Sequence, residues 1–303
     1  MRVGCLIAAI LVPALITAGG PGTFRAGSSL VLVNVSVLDP HDRPVTGLPQ
    51  NHFRVLDNGR EQPIRFFAHE DAPVSLAIIL DTSGSMETKW NRARTMLARF
   101  CGNLAPQDEF FLVTVQQRAK LLMDYTHDCG SLQDELFTAQ PHGLTALLDA
   151  IPLAVEHLRQ ASNPRRAILI ISDGGENASR VRMAEVRRLA CEANAQVYAA
   201  TLGLQPEYDH YLGEPDGPRG PQLLAEIAEL TGGRAFAIDD SRHIDEVAAD
   251  MAREIHDQYV IGYLSPDSAI DGKRHRIAVK VQRDPGAPRL SIFYRTGYQA
   301  PID

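Results

Sequence analysis

The chain has 303 residues, 45% apolar and 22% charged, a globular balance that excludes a disordered, collagenous or many-spanning membrane protein. Thirty Lys and Arg against 37 Asp and Glu give a net charge of −7, so the chain lacks the field of a general nucleic-acid binder. Four cysteines without a CxxC pair exclude a disulfide-rich scaffold and a cysteine-based zinc site.

The elements follow in chain order. Arg2, an apolar run over residues 3–18 and the small residues Ala18-Gly19-Gly20 read as a secretory signal peptide over 1–20. The run is shorter than the roughly 18–20 apolar residues that span a bilayer. The expected location is therefore secreted or periplasmic, with membrane contact only through an uncleaved signal. Cys5 stands near the start of this run and not after it, which argues against a lipoprotein-type cysteine.

Residues 28–70 read as β structure. Val31, Val33, Val35 and Val37 alternate with Leu32, Asn34 and Ser36, the period of a half-buried strand. A second strand covers 53–56. Asp57-Asn58-Gly59 is a hairpin turn, and 64–67 is expected to continue on its far side.

The rhythm then changes. Continuous apolar runs at 74–80, 110–115 and 167–171 predict strands buried on both faces, and 121–125 a short edge strand. Helices are expected at 89–103, 131–138, 145–160, 181–194, 221–231 and 242–257, with further strands at 196–202 and 234–238. Alternating strands and helices predict a doubly wound, mostly parallel α/β sheet. Residues 205–221, rich in Gly and Pro, read as a surface loop.

From Gln258 the β pattern returns. Ile277, Val279 and Val281 mark one strand, Asp284-Pro285-Gly286 a turn, and 290–295 the partner strand. Lys273, Arg274 and Arg276 read as the wet face of a strand. Neither β segment is large enough to bury a core alone. The layout is therefore a signal at 1–20, half a small β unit at 28–70, an inserted α/β domain at 74–257 and the other β half at 258–298.

Three strand-end loops carry the chemistry. Asp81-Thr82-Ser83-Gly84-Ser85 ends the first α/β strand, where ligands of open parallel sheets bind. Gly143-Leu144-Thr145 precedes a helix and offers a hydroxyl. Ser172-Asp173-Gly174-Gly175 follows another strand and offers a carboxylate. Asp81, Ser83, Ser85, Thr145 and Asp173 are all oxygen donors, with no His or Cys among them. Such a set suits Mg²⁺, with Mn²⁺ or Ca²⁺ as alternatives, and not zinc.

This set resembles the metal-ion-dependent adhesion site of von Willebrand factor type A domains, and each of the five positions carries the family's residue type. The resemblance covers about residues 74–257. Val45-Thr46-Gly47-Leu48, Asp57-Asn58-Gly59, Asp71-Ala72-Pro73-Val74-Ser75 and Gly297-Tyr298-Gln299-Ala300-Pro301 are similar to the VWFA-related Acidobacterial domain family. The resemblance implies one divalent cation. Ser83, Ser85 and Thr145 would bind it directly or nearly so, and Asp81 and Asp173 directly or through water. It leaves a position for an Asp or Glu carboxylate of a protein partner. The expected function is thus a metal-dependent adhesion or protein-binding module, and not an enzyme.

Other chemistries lack their signatures. There is no P-loop, so no nucleotide is expected, and no H-E-x-x-H helix. There is no G-x-S-x-G elbow either. Asn34-Val35-Ser36 and Asn177-Ala178-Ser179 read as chance matches to the glycosylation pattern. A metal-dependent hydrolase is the rival reading, with Glu176 as the nearby carboxylate to act as base. An envelope assembly scaffold is a third. Among the cysteines left after signal removal, Cys101 and Cys129 either pair or act as small buried hydrophobes. Pairing requires Cα atoms within about 7 Å. Cys191 is expected to be buried and reduced.

Overall fold

A computed structural model describes residues 30–69, 72–192, 195–203, 220–239, 241–265, 272–283, 286 and 288–300. The signal segment, most of the 205–221 loop and two residues of the Asp284-Pro285-Gly286 turn lie outside them. Among the described residues no helix is long and apolar enough to cross a membrane.

The centre is a six-stranded sheet of β5 (Val74–Asp81), β6 (Glu109–Val115), β7 (Ala119–Thr126), β8 (Arg165–Ser172), β9 (Gln196–Leu202) and β10 (Ala235–Ile238). The order is β10-β9-β8-β5-β6-β7, parallel except for the antiparallel β6–β7 edge pair. All eight residues of β5 are buried, because helices cover both faces. On one face lie α1 (Trp90–Cys101), α2 (Cys129–Thr138) and α6 (Ile244–His256). The apolar residues Ala93, Met96, Leu97 and Phe100 of α1 recur at helical spacing and enter that core. On the other face lie α3 (Leu147–His157), α4 (Met183–Glu192) and α5 (Pro221–Thr231). Cys101 and Cys129 form a disulfide with Cα atoms 5.9 Å apart, tying the end of α1 to the start of α2. Cys191 lies on α4, and the state of its side chain falls outside the described residues.

Both chain ends build the remaining β unit, a sandwich of two four-stranded sheets. Its strands are β1 (Leu30–Leu38), β2 (Phe53–Asp57), β3 (Arg60–Gln62), β4 (Ile64–His69), β11 (Tyr259–Leu264), β12 (Arg274–Val281), β13 (Ser291–Tyr294) and β14 (Gly297–Gln299). One sheet runs β13-β1-β11-β4 and the other β14-β12-β2-β3. Val33 and Val35 of β1, Val55 of β2, Ile261 of β11 and Ile277 of β12 share one core. The two halves are thus mutually dependent.

Two pairings differ from the sequence expectation. The hairpin partner of β2 is β3, through a two-residue turn with Asn58 at φ 48° and Gly59 at φ 81°. Pro63 then breaks the ladder, and β4 crosses to pair with β11 in the other sheet. Likewise β13 pairs with β1, while β12 takes β2 and β14 as neighbours. Alternation reports which face a residue occupies, but not which strand lies beside it.

The sandwich meets the α/β layer at the start of β5. Asp108 Oδ1 accepts the Val74 amide at 2.9 Å, and Oδ2 accepts the Ala105 amide at 2.7 Å and His256 Nε2 at 2.9 Å. One carboxylate thus holds both crossings between the units, the entry at Val74 and the exit after His256. Arg234 adds a second tie. It pairs with Glu254 at 3.0 Å and with Asp42 of the sandwich at 3.3 Å, and stacks over Phe236 and Phe293. The opposite, C-terminal ends of the parallel strands face away from the sandwich.

Candidate metal centre

Those C-terminal ends bring together the five residues singled out by sequence. Asp81 is the last residue of β5 and is fully buried. Its Oδ1 accepts the Ser83 amide at 2.9 Å, which folds the serine loop back over the strand end. Ser83 and Ser85 place their hydroxyl oxygens 3.2 Å apart. Two backbone bonds, from Gly84 N to Gly143 O and from His142 N to Thr82 O, each 3.0 Å, dock the 140s loop on the serine loop. Thr145 lies in that loop, just ahead of α3, and is 2% exposed.

Asp173 follows β8, in the loop beside Thr145. A Cβ built on Gly175 would lie 3.1 Å from Asp173 Oδ1, 3.5 Å from Thr145 Oγ1 and 3.6 Å from Ser85 Oγ. Three oxygens from three separate loops therefore surround one small space, which a side chain at position 175 would crowd. Gly174, at φ 80°, presses against the backbone of Gly220 at the start of α5, so this loop also has no room for a side chain there.

The chemistry of this set fits a hard divalent cation. It offers two carboxylates and three hydroxyls, with oxygen as the only donor element. Among the described residues, no three His, Cys, Asp or Glu side chains gather as a metal site, and this set relies on three hydroxyls beside its two carboxylates. Burial pushes the Asp81 carboxyl up to about 6, against the hydrogen bonds from Ser172 and Ser83, and the nearby Asp173 charge adds to the rise. A buried carboxyl held up by burial and by a neighbouring carboxylate is in surroundings that a cation would stabilise.

Sequence reasoning missed three residues that shape the site. Ser172 Oγ donates to Asp81 Oδ2 at 2.6 Å and accepts the Gly174 amide at 2.9 Å, linking the two carboxylate loops. Asn177 Oδ1 accepts the Thr145 amide at 2.8 Å, so the residue of the chance glycosylation match orients a site loop. Lys89 Nζ lies 2.6 Å from Asp173 Oδ2. Ser172 sits beside Asp173 in sequence, but nothing in the sequence distinguishes its role. Glu176, the base of the rival hydrolase reading, is committed elsewhere. Its carboxylate accepts the Leu148 amide at 2.9 Å, the Ser179 amide at 2.9 Å and the Ser179 hydroxyl at 2.8 Å, capping α3 and its own loop.

The family model of the von Willebrand factor type A domain matches residues 76–176, a span that includes all five oxygen donors. The chain carries a von Willebrand factor type A domain. A solved von Willebrand factor type A protein from Catenulispora acidiphila, 13% identical, aligns over 92% of this chain and 75% of its own with a TM-score of 0.50. That likeness shows the fold of the A domain. The conserved hypothetical protein BatB from Bacteroides thetaiotaomicron is 21% identical over 60% of this chain and 98% of its own, with a TM-score of 0.46. An uncharacterized protein of Borreliella burgdorferi is 22% identical over 205 residues, 61% of this chain and 60% of that relative. This chain therefore spans less than two thirds of the length of that curated relative.

Proposed function

We propose that the chain is an exported protein-binding module whose A domain engages a partner through a divalent cation, Mg²⁺ before Mn²⁺ or Ca²⁺. The observation that carries this reading is the convergence of Ser85 Oγ, Thr145 Oγ1 and Asp173 Oδ1 on one space beside Gly175. Ser83, Ser85 and Thr145 would contribute neutral oxygens, and Asp81 and Asp173 the negative charge. When bound, the cation supplies a positive, Lewis-acidic position that an Asp or Glu carboxylate of a partner can complete. Ser172 and Asn177 hold the loops in place before any ligand arrives.

The commitment of Glu176 to helix and loop amides supports binding over hydrolysis, since a general base must have a free oxygen facing the reacting water. The Cys101–Cys129 disulfide supports a location outside the reducing cytoplasm. Titration calorimetry with Mg²⁺ tests the site: one saturable event at millimolar concentration or below is expected, and no heat at that concentration overturns the reading. Capture of envelope proteins in Mg²⁺ and in EDTA tests the partner. Recovery that is equal in both removes the metal from the function.

A further inference from the structure

Lys89 is the one cationic side chain built into the wall of this site among the described contacts of its carboxylates. It closes the 3-10 turn Gly84–Lys89 that follows the serine loop, immediately before α1. Its side chain is 18% exposed and that of Asp173 is 9% exposed, so the pair is largely out of water. The stem has a prepared bed. A Cβ built on Gly203, just past β9 at φ 91°, would lie 3.1 Å from Lys89 Cε. A surface lysine has no such seat.

The two oxygens of Asp173 divide their work. Oδ2 takes the ammonium, while Oδ1 accepts the Gly175 amide at 3.0 Å and faces Thr145 and Ser85. Lys89 therefore cancels a charge of the site without filling the space between the hydroxyls.

We propose that Lys89 sets the charge balance of this site, lowering its affinity for the cation and raising the affinity of the loaded site for a partner carboxylate. The inference rests on the metal-binding reading above and adds its regulation. With Asp81 and Asp173 ionised and Lys89 charged, the site carries −1 before a dication binds, +1 after it, and 0 once a partner carboxylate joins. Without Lys89 the same sequence is −2, 0 and −1. Lys89 thus weakens the cation on its own and strengthens the carboxylate on the loaded site. The mutual attraction of cation and carboxylate is the same with or without Lys89, because its charge cancels from the coupling between them.

The test uses Mg²⁺, with acetate as the simplest carboxylate and chloride as the ionic-strength control. In the wild type, acetate is expected to tighten Mg²⁺ about tenfold by calorimetry, within the ordinary range of coupling. Lys89→Met keeps the apolar stem. It should bind Mg²⁺ about tenfold more tightly, and its Mg²⁺-loaded form should bind acetate about tenfold more weakly, with the acetate effect on Mg²⁺ unchanged. Lys89→Arg should restore wild-type behaviour. Lys89→Gln, a polar variant that spares the fold if Met does not, should behave like Lys89→Met. In EDTA the neutral variants should melt below the wild type, and Mg²⁺ should erase the difference. A packing role alone would lower melting equally in both conditions. Equal Mg²⁺ affinities in wild type and the neutral variants, or equal acetate affinities of their Mg²⁺-loaded forms, overturn the role of Lys89 and leave the metal site standing. An absence of Mg²⁺ binding in the wild type and every variant overturns both.

Discussion

Asp81 closes β5 at one end of the parallel sheet, and Asp108 stands just before β6 at the other, both with carboxylates removed from water. Burial pushes each carboxyl up, but the outcomes diverge. At Asp108 the His256 ring and the amides of Val74 and Ala105 outweigh burial and hold the carboxyl below its ordinary value. At Asp81 the donors are hydroxyls and one amide, the neighbouring charge is another carboxylate, and the carboxyl stays raised at about 6. A buried aspartate surrounded by enough donors is a fastener. In the function proposed above, the same residue facing further oxygens would meet a cation supplied from outside. The sandwich pole holds the chain together, and the loop pole is kept available.

Four variants break or sharpen that contrast. Asp108→Ala leaves the His256 ring and two amides without their acceptor, and should lower unfolding free energy by about 3 kcal/mol in denaturant titration. Mg²⁺ affinity of its folded fraction should not change. A mild loss of stability would mean that the junction is held by Arg234 instead. Asp81→Ala should do the reverse, reducing Mg²⁺ affinity about a hundredfold, near 2.7 kcal/mol, while circular dichroism reports a retained fold. Affinities equal to wild type would remove Asp81 from the site.

Glu254 tests the sandwich pole by pH. Burial pushes its carboxyl up to about 7, against the Arg234 guanidinium, from an ordinary value of 4.5. The folded state therefore binds the extra proton between those values. The contribution of Glu254 to stability is present in full below pH 4.5 and is lost as pH rises through 7. Glu254→Gln should narrow the fall in melting temperature between pH 5 and pH 8 by a few degrees. Parallel profiles in the two proteins would show that Arg234 offsets the burial entirely. The smallest effect is expected at Thr145→Ala, which removes a neutral ligand that water can replace. Mg²⁺ affinity should fall about threefold, while partner capture in Mg²⁺ falls further. A loss as large as that of Asp81→Ala would make Thr145 more than an auxiliary oxygen.

The legibility of the chain follows the same division. β5, β6 and β8 are readable because strands buried on both faces must be apolar throughout, as residues 76–80 and 167–171 are. Asp81, Ser83 and Ser85 are readable because a strand end and a tight loop fix their relation locally. Thr145 and Asp173 stand at equivalent points of later units, and the structure brings all five together. Ser172, Asn177 and Lys89 carry no such mark, because their contacts join loops far apart in sequence and obey no period. In the sandwich, the valines of β1 reveal an inward face, while the choice between β3 and β4, or between β13 and β14, depends on Pro63 and on which sheet each strand enters. Those choices are made by three-dimensional closure, and no local pattern records them.

The placement of both β segments beneath the A domain has a mechanical consequence. Val74 joins the sandwich at one end of β5, and Asp81 ends the same strand at the opposite pole. A pull between a partner on the loops and an anchor on the sandwich runs lengthwise down β5. Its parallel neighbours β6 and β8 are bonded along nearly its whole length, from Val74–Arg165 and Ser75–Glu109 up to Asp81–Val115. Such a load shears the flanking ladders together instead of peeling them open one rung at a time. The exit after His256 leaves at the same pole as the entry, so both connections to the sandwich meet the sheet at the end opposite the hydroxyl loops.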